Sequence, residues 1–156
     1  MATSCDLSCE LRRRLWWQVA AFLLGSVLPA GARAQEIKVG MSGALSGPAQ
    51  NLGMGLKLGI EAYFRATNEA GGVHGRTLKL VTRDDAYEPA RTGPNVRQLI
   101  DEENVFAILG NPGTPTAAVT LPITNSKHVP FIAPFTGAGL LRKTPPDRYV
   151  FNYRAS

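Results

Sequence analysis

The chain has 156 residues, 17 basic and 12 acidic residues, a formal net charge of +5 and two cysteines. That length suits one small domain or part of a larger one, and the charges are scattered, which excludes the basic stripe a nucleic-acid surface requires. There is no internal repeat and no low-complexity tract.

The first segment reads as an export signal over residues 1–35. Arg12, Arg13 and Arg14 form a basic patch, Trp16 to Leu28 is an apolar stretch too short to span a bilayer, and Ala32-Arg33-Ala34 is an A-x-A cleavage site. Cleavage is expected before Gln35 or Glu36. Gly25, Ser26 and Pro29 speak against a membrane anchor, and no cysteine follows the apolar run as a lipoprotein signal would need. The arginine cluster leaves a twin-arginine route open beside the general one. Both cysteines, Cys5 and Cys9, leave with this segment, so the exported part has neither disulfide nor thiol chemistry. Four basic and two acidic residues also leave, and the net charge falls from +5 to +3.

Beyond residue 35 strand and helix signals alternate. Ile37 to Met41 is a first strand, followed by a Gly- and Ser-rich loop from Ser42 to Asn51. Leu52, Leu56, Ile60, Tyr63 and Ala66 then recur at helical spacing, and Gly71-Gly72 ends that helix as a C-terminal cap. Leu78 to Thr82 alternates into a second strand that ends at Asp84-Asp85. A second helix should end near Glu103, either starting at Pro94 or kinked there. Val105 to Leu109 is an uninterrupted apolar run, as for a strand buried on both faces of a parallel sheet. A third helix runs from Thr114 to about Asn125 with Pro122 inside it, followed by strands at Val129 to Ala133 and Tyr149 to Tyr153. The alternation implies βαβ units: an α/β fold with a parallel sheet flanked by helices on both faces and right-handed crossovers.

The loop Gly110-Asn-Pro-Gly-Thr-Pro-Thr116 sits at the carboxyl end of the third strand, where such sheets bind ligands. Thr114-Pro115 reads as an N-cap with proline at the first helical position. Free N–H groups there favour a negatively charged ligand group, a carboxylate or a phosphate. A plain strand-to-helix turn is the alternative.

Other chemistry finds little footing. His74 and His128 lack cysteine, histidine or carboxylate partners at ligand spacing, so no metal is expected and both histidines read as structural. Ser42 and Ser46 make no G-x-S-x-G, Gly53-x-Gly55 lies inside the first helix, and no Gly-Lys-Ser/Thr exists, so no nucleotide or other cofactor is expected. Asp84 and Asp85, adjacent on a strand, point to opposite faces; one of them is expected to cap the following turn.

Five phrases in order, Glu36-Ile-Lys-Val-Gly40, Gly43-Ala-Leu-Ser-Gly-Pro48, Asn68-Glu-Ala-Gly-Gly-Val-His-Gly75, Asp84-Asp-Ala-Tyr-Glu-Pro89 and Ala133-Pro-Phe-Thr-Gly-Ala138, carry a resemblance, together with the spacing between them. Together they resemble the leucine/isoleucine/valine-binding branch of the periplasmic substrate-binding proteins, over residues 36–156. The resemblance implies a non-enzymatic, periplasmic solute-binding lobe that passes an amino acid, an amide or a small organic acid to an inner-membrane ABC permease. It implies two lobes closing on the ligand about a hinge, of which residues 36–156 are the N-terminal one, reaching the crossover to the second at residues 149–156. It implies no stable membrane insertion of the mature chain.

The resemblance also implies site residues. Thr114 matches the hydroxyl residue at the start of the third helix that holds the ligand carboxylate. Phe135, Thr136 and Gly137 match the loop that holds the ammonium and carboxylate, and Leu52 matches a position that walls the pocket. The chain departs from the pattern in four places: Gly137 stands at the hydroxyl-bearing position with Thr136 one residue earlier, Leu52 replaces an aromatic, Phe135 replaces a small residue, and Tyr87 and Gly113 replace a frequent disulfide. A reshaped pocket for an amide or aromatic acid is thus expected beside an aliphatic amino acid. If a two-lobed protein binds at about micromolar strength, roughly −8 kcal/mol, and each lobe supplies half, one lobe binds in the millimolar range. The alternatives are a ligand-sensing domain of a receptor or regulator, a truncated product without function, and a phosphate-binding α/β enzyme.

Overall fold

The computed structural model describes residues 36–155; the export signal expected over residues 1–35 lies outside the described residues. Five strands, β1 (Ile37–Gly43), β2 (Leu78–Asp84), β3 (Ala107–Leu109), β4 (Phe131–Ile132) and β5 (Val150–Phe151), form one sheet in the order β2-β1-β3-β4-β5. Every pairing is parallel. Three helices lie between them: α1 (Gln50–Glu69), α2 (Pro89–Asp101) and α3 (Thr114–Lys127), with a short 3-10 turn at Gly139–Leu141. This is the expected α/β architecture, and the strand order places β1 at an inner position, so that the loops after β1, β2 and β3 emerge side by side.

The main core lies between α2, α3 and one face of the sheet. Val96 and Leu99 of α2 meet Ala117, Leu121 and Ile123 of α3 over Val105, Ile108 and Phe131, closed by Leu141. Gly40 lets α2 and the Ile108 side chain of β3 close over β1, since a Cβ there would lie 3.0 Å from Ile108 Cδ1 and 3.3 Å from Leu99 Cβ. The opposite face, with Val39 and Met41 buried, carries α1.

Several boundaries and faces differ from expectation. β1 and β2 each run to Gly43 and Asp84 because the register continues through Ser42–Arg83 and Gly43–Asp84. α2 neither begins nor breaks at Pro94: it starts at Pro89, in the first turn where no N–H is needed, and passes through Pro94 with the exposed Ala90 losing its partner. The Val105 run is not buried throughout, for Phe106 is 65% exposed although its N–H still bonds the Lys38 carbonyl at 2.8 Å.

In α1 only Gly53 is buried; Leu56 and Ile60 are half-buried, whereas Tyr63 is 71% exposed and Ala66 is exposed. The helix rests on the sheet side through Gly53, whose added Cβ would fall 1.9 Å from the Ala44 carbonyl oxygen. It ends as anticipated at Gly71-Gly72: the Gly71 N–H bonds the Asn68 carbonyl and the Gly72 N–H bonds the Thr67 carbonyl, both glycines at positive φ. The Asn68 side chain then receives the Leu78 N–H at 2.7 Å and donates to the Leu78 carbonyl at 2.9 Å, tying the end of α1 to the start of β2.

Candidate functional site

The carboxyl ends of β1, β2, β3 and β4 each feed a loop, and hydrogen bonds join these loops in two groups. The first group is held by carboxylates. Asp84 accepts the N–H groups of Leu45 at 2.9 Å, Ser46 at 3.1 Å and Ala86 at 2.9 Å, and the Ser46 hydroxyl at 2.6 Å, with Arg91 at 3.3 Å. The Ser46 hydroxyl foremost, then the backbone N–H groups and Arg91, outweigh burial and hold its pKa down to about 2. Asp85 is fully buried and accepts the Ser42 hydroxyl at 2.7 Å, the Thr92 hydroxyl at 2.9 Å and the Tyr87 N–H at 2.9 Å. Both carboxylates therefore cap the turn, where one was expected. They do so because the chain leaves β2 at Asp84 and turns at once through Ala86 and Tyr87, at φ 51° and 70°.

The second group joins the β3–α3 and β4 loops. Gly113, at φ 97° and ψ 151°, is the residue that caps α3, and its carbonyl accepts the Ala117 N–H at 3.1 Å. Thr114 is thus the first helical residue rather than the N-cap, and Pro115 the second. The displacement has a physical cause: only glycine adopts this backbone region readily, so the cap moves one residue upstream. It frees the Thr114 hydroxyl, which lies 2.7 Å from the Thr136 hydroxyl. Thr136 is only 5% exposed and also accepts the Ala138 N–H at 3.2 Å. The N–H groups of Thr114 and Thr116 precede the first i→i−4 bond of the helix and are left for a ligand or water.

Phe135 knits the two loops together. Its N–H bonds the Gly110 carbonyl at 2.7 Å and its carbonyl accepts the Gly113 N–H at 3.3 Å, within a parallel bridge between Pro112 and Phe135. Its ring is exposed, with the Arg154 guanidinium 4.7 Å from the ring centre. Arg142 in turn bonds the Arg154 carbonyl. Thr114, Phe135 and Thr136 are therefore brought together; Gly137 follows them in the loop, half-buried, and Leu52, exposed on the first turn of α1, shares no hydrogen bond or ring contact with them among the described residues.

Behind the site α3 carries a buried threonine ladder that composition alone did not reveal. Thr116 bonds the Pro112 carbonyl at 2.5 Å, Thr120 the Thr116 carbonyl at 2.9 Å and Thr124 the Thr120 carbonyl at 3.1 Å, while Asn111 donates to the Thr120 hydroxyl at 2.7 Å. The i, i+4 spacing of Thr116, Thr120 and Thr124 is the signal that could have found it.

Neither histidine enters the site. His128 takes the left-handed conformation at the end of α3 and lies 5.3 Å from the Tyr149 ring, and His74 occupies a turn at φ 51°. Among the described residues no cluster of three or more histidines, cysteines and acidic residues could hold a metal ion, and no helix is long and apolar enough to cross a membrane. An open groove of about 520 Å³ lies between α1 and the amino end of β2, lined by Phe64, Arg65, Asn68, Leu78 and Leu80 among others, and includes none of Thr114, Phe135, Thr136, Gly137 and Leu52.

Comparison with known proteins follows the same line. A family model described as "Periplasmic binding protein" matches residues 36–156. The chain is 34% identical over 139 residues to Leu/Ile/Val-binding protein homolog 7 of Brucella suis, covering 88% of this chain and 33% of that protein. Among solved structures it resembles a possible leucine/isoleucine/valine-binding protein from Rhodopirellula baltica, with 49% identity, a TM-score of 0.75, and coverage of 80% of this chain and 33% of that one. It also resembles a solute-binding protein of an R. palustris ABC transporter solved in complex with benzoate, with 26% identity, a TM-score of 0.68, and coverage of 75% and 32%. The chain spans about a third of the length of these relatives.

Proposed function

The chain belongs to the periplasmic binding protein family, whose members are solute-binding proteins rather than enzymes, and on that premise we propose that it holds a small carboxylate-bearing ligand for an inner-membrane ABC permease. The ligand class is a branched-chain amino acid, a related amide or acid, or an aromatic acid. Residues 1–35 serve as its export signal, and residues 36–156 form the N-terminal lobe of a two-lobed binding protein.

One observation carries the reading: the paired hydroxyls of Thr114 and Thr136, 2.7 Å apart, at the N-terminus of a 14-residue helix. One hydroxyl proton is spent within the pair; the other, with the uncommitted N–H groups of Thr114 and Thr116, can donate, and the helix dipole adds positive potential at the same end, so the complement is an anion. Arg154 on the face of Phe135 adds a full positive charge beside the same loop. The exposed Phe135 ring offers a flat apolar surface, which favours a planar or branched apolar body on the ligand. A relative that binds benzoate fits that pattern.

The reading is tested by thermal shift and calorimetry of the chain against L-leucine, L-glutamine and sodium benzoate at millimolar concentration. A dose-dependent rise in melting temperature with at least one acid is expected. Thr114→Val and Thr136→Val should each weaken that binding about tenfold, as loss of a hydrogen bond to a charged group does. Binding by either variant equal to that of wild type would refute the assignment.

A further inference from the structure

The most unusual contact beside this site is made by Tyr87, a residue that the reading above does not use. Ala86 and Tyr87 both sit at positive φ, 51° and 70°, although neither is glycine, and such conformations persist only where the surroundings enforce them. Here the Asp84 carboxylate holds the Ala86 N–H and the Asp85 carboxylate holds the Tyr87 N–H, each at 2.9 Å. The turn brings the phenolic end of the Tyr87 ring against Gly113. A Cβ at position 113 would fall 2.4 Å from the phenolic oxygen and 2.5 Å from the ring carbons Cε2 and Cζ. The phenolic oxygen thus lies over the α-carbon that immediately precedes Thr114. Half-buried though the residue is, its hydroxyl has no hydrogen-bond partner among the described residues.

We infer that the Tyr87 hydroxyl is a further donor to the ligand carboxylate, joining Thr114 and Thr136 at the start of α3. The inference rests on the function proposed above. An acid seated at the helix start meets the Thr114 N–H and hydroxyl on one side and the phenol on the other. A phenol hydroxyl donates a stronger bond to a charged acceptor than to a neutral one. Gly113 is then needed twice, for its backbone conformation and for the space that the phenol fills. The site accordingly selects a free carboxylate over its neutral amide.

The test compares Tyr87→Phe with wild type and with Thr114→Val, using whichever of L-leucine and sodium benzoate raises the wild-type melting temperature, together with leucinamide or benzamide. Tyr87→Phe keeps the ring on Gly113 and removes only the oxygen. The expected result is an unchanged melting temperature without ligand, acid binding weakened about tenfold, and amide binding unaltered. If Tyr87→Phe binds the acid as wild type does while Thr114→Val loses it, the ring merely packs and the inference is wrong, with the proposed function intact. If Thr114→Val also binds normally, or wild type responds to neither acid, the proposed function falls and this inference with it.

Discussion

Asp84 fastens the loop after β1 to the turn after β2 with one side chain, and its low pKa gives that link a measurable signature. Its folded pKa of about 2 lies below the ordinary 3.8, so the ionised form contributes stability above about pH 4. That contribution is lost as the pH falls from about 4 to 2, when the carboxylate takes up a proton. Asp84→Asn should cost about 1–2 kcal/mol at neutral pH, the smaller part of the range reflecting partial exposure, and should flatten the fall in melting temperature between pH 4 and 2. An unchanged acid profile in the variant would show that other groups govern it. At this scale the sequence was partly readable. Thr114 and Thr136 were readable as candidates through the family resemblance, and the structure brings their hydroxyls within 2.7 Å of each other. The shift of the cap from Thr114 to Gly113 was not readable, because it depends on a backbone angle that the letter Gly permits but does not announce. Likewise, strand alternation separates Asp84 from Asp85 only while the chain remains a strand, and it stops being one between them.

The helix α1 shows what periodicity can and cannot reveal about an element. Its existence, its length and its double-glycine end were all legible, since apolar spacing and the Gly71-Gly72 pair are local properties. The face it buries was not: Tyr63 stands outward and Gly53 inward, because the contact is set by how closely the helix backbone approaches the Ala44 carbonyl. The glycines of α1 therefore make opposite predictions. Gly59, with nothing within 4 Å of an added Cβ, should accept alanine with a gain of about 1 kcal/mol from helix propensity alone. Gly53→Ala gains the same propensity but drives its methyl to 1.9 Å from a carbonyl oxygen, and a net loss of more than about 2 kcal/mol is expected. Chemical denaturation of the two variants checks both signs. Stabilisation by Gly53→Ala would mean that α1 sits farther from the β1 loop than described.

Across the whole molecule the two faces of the sheet are unequally covered. α2 and α3 seal one face, whereas α1 packs mainly on β2 at the other. Phe151 of β5 is 54% exposed and Tyr153 just beyond it 91%. Exposed aromatic surface of this kind should bind a hydrophobic reporter dye, and the double substitution Phe151→Ser, Tyr153→Ser should reduce that signal while leaving the far-ultraviolet circular dichroism intact. The parallel sheet and its crossovers were evident from the alternation of elements, but which parts of each face lie bare depends on what packs there, and no local pattern encodes that. One small feature bears on how the molecule behaves in a crowd of its own copies. Because the Ile37 N–H bonds the Thr77 carbonyl, the N–H and carbonyl of Leu78 point away from β1, toward the outer margin of the sheet. The Asn68 amide takes both, as the backbone of an incoming strand would. The first rung of that margin is already filled, so a neighbouring chain that tried to zip onto β2 would have to displace an internal partner first, and fibre-like growth from this side is checked by one side chain.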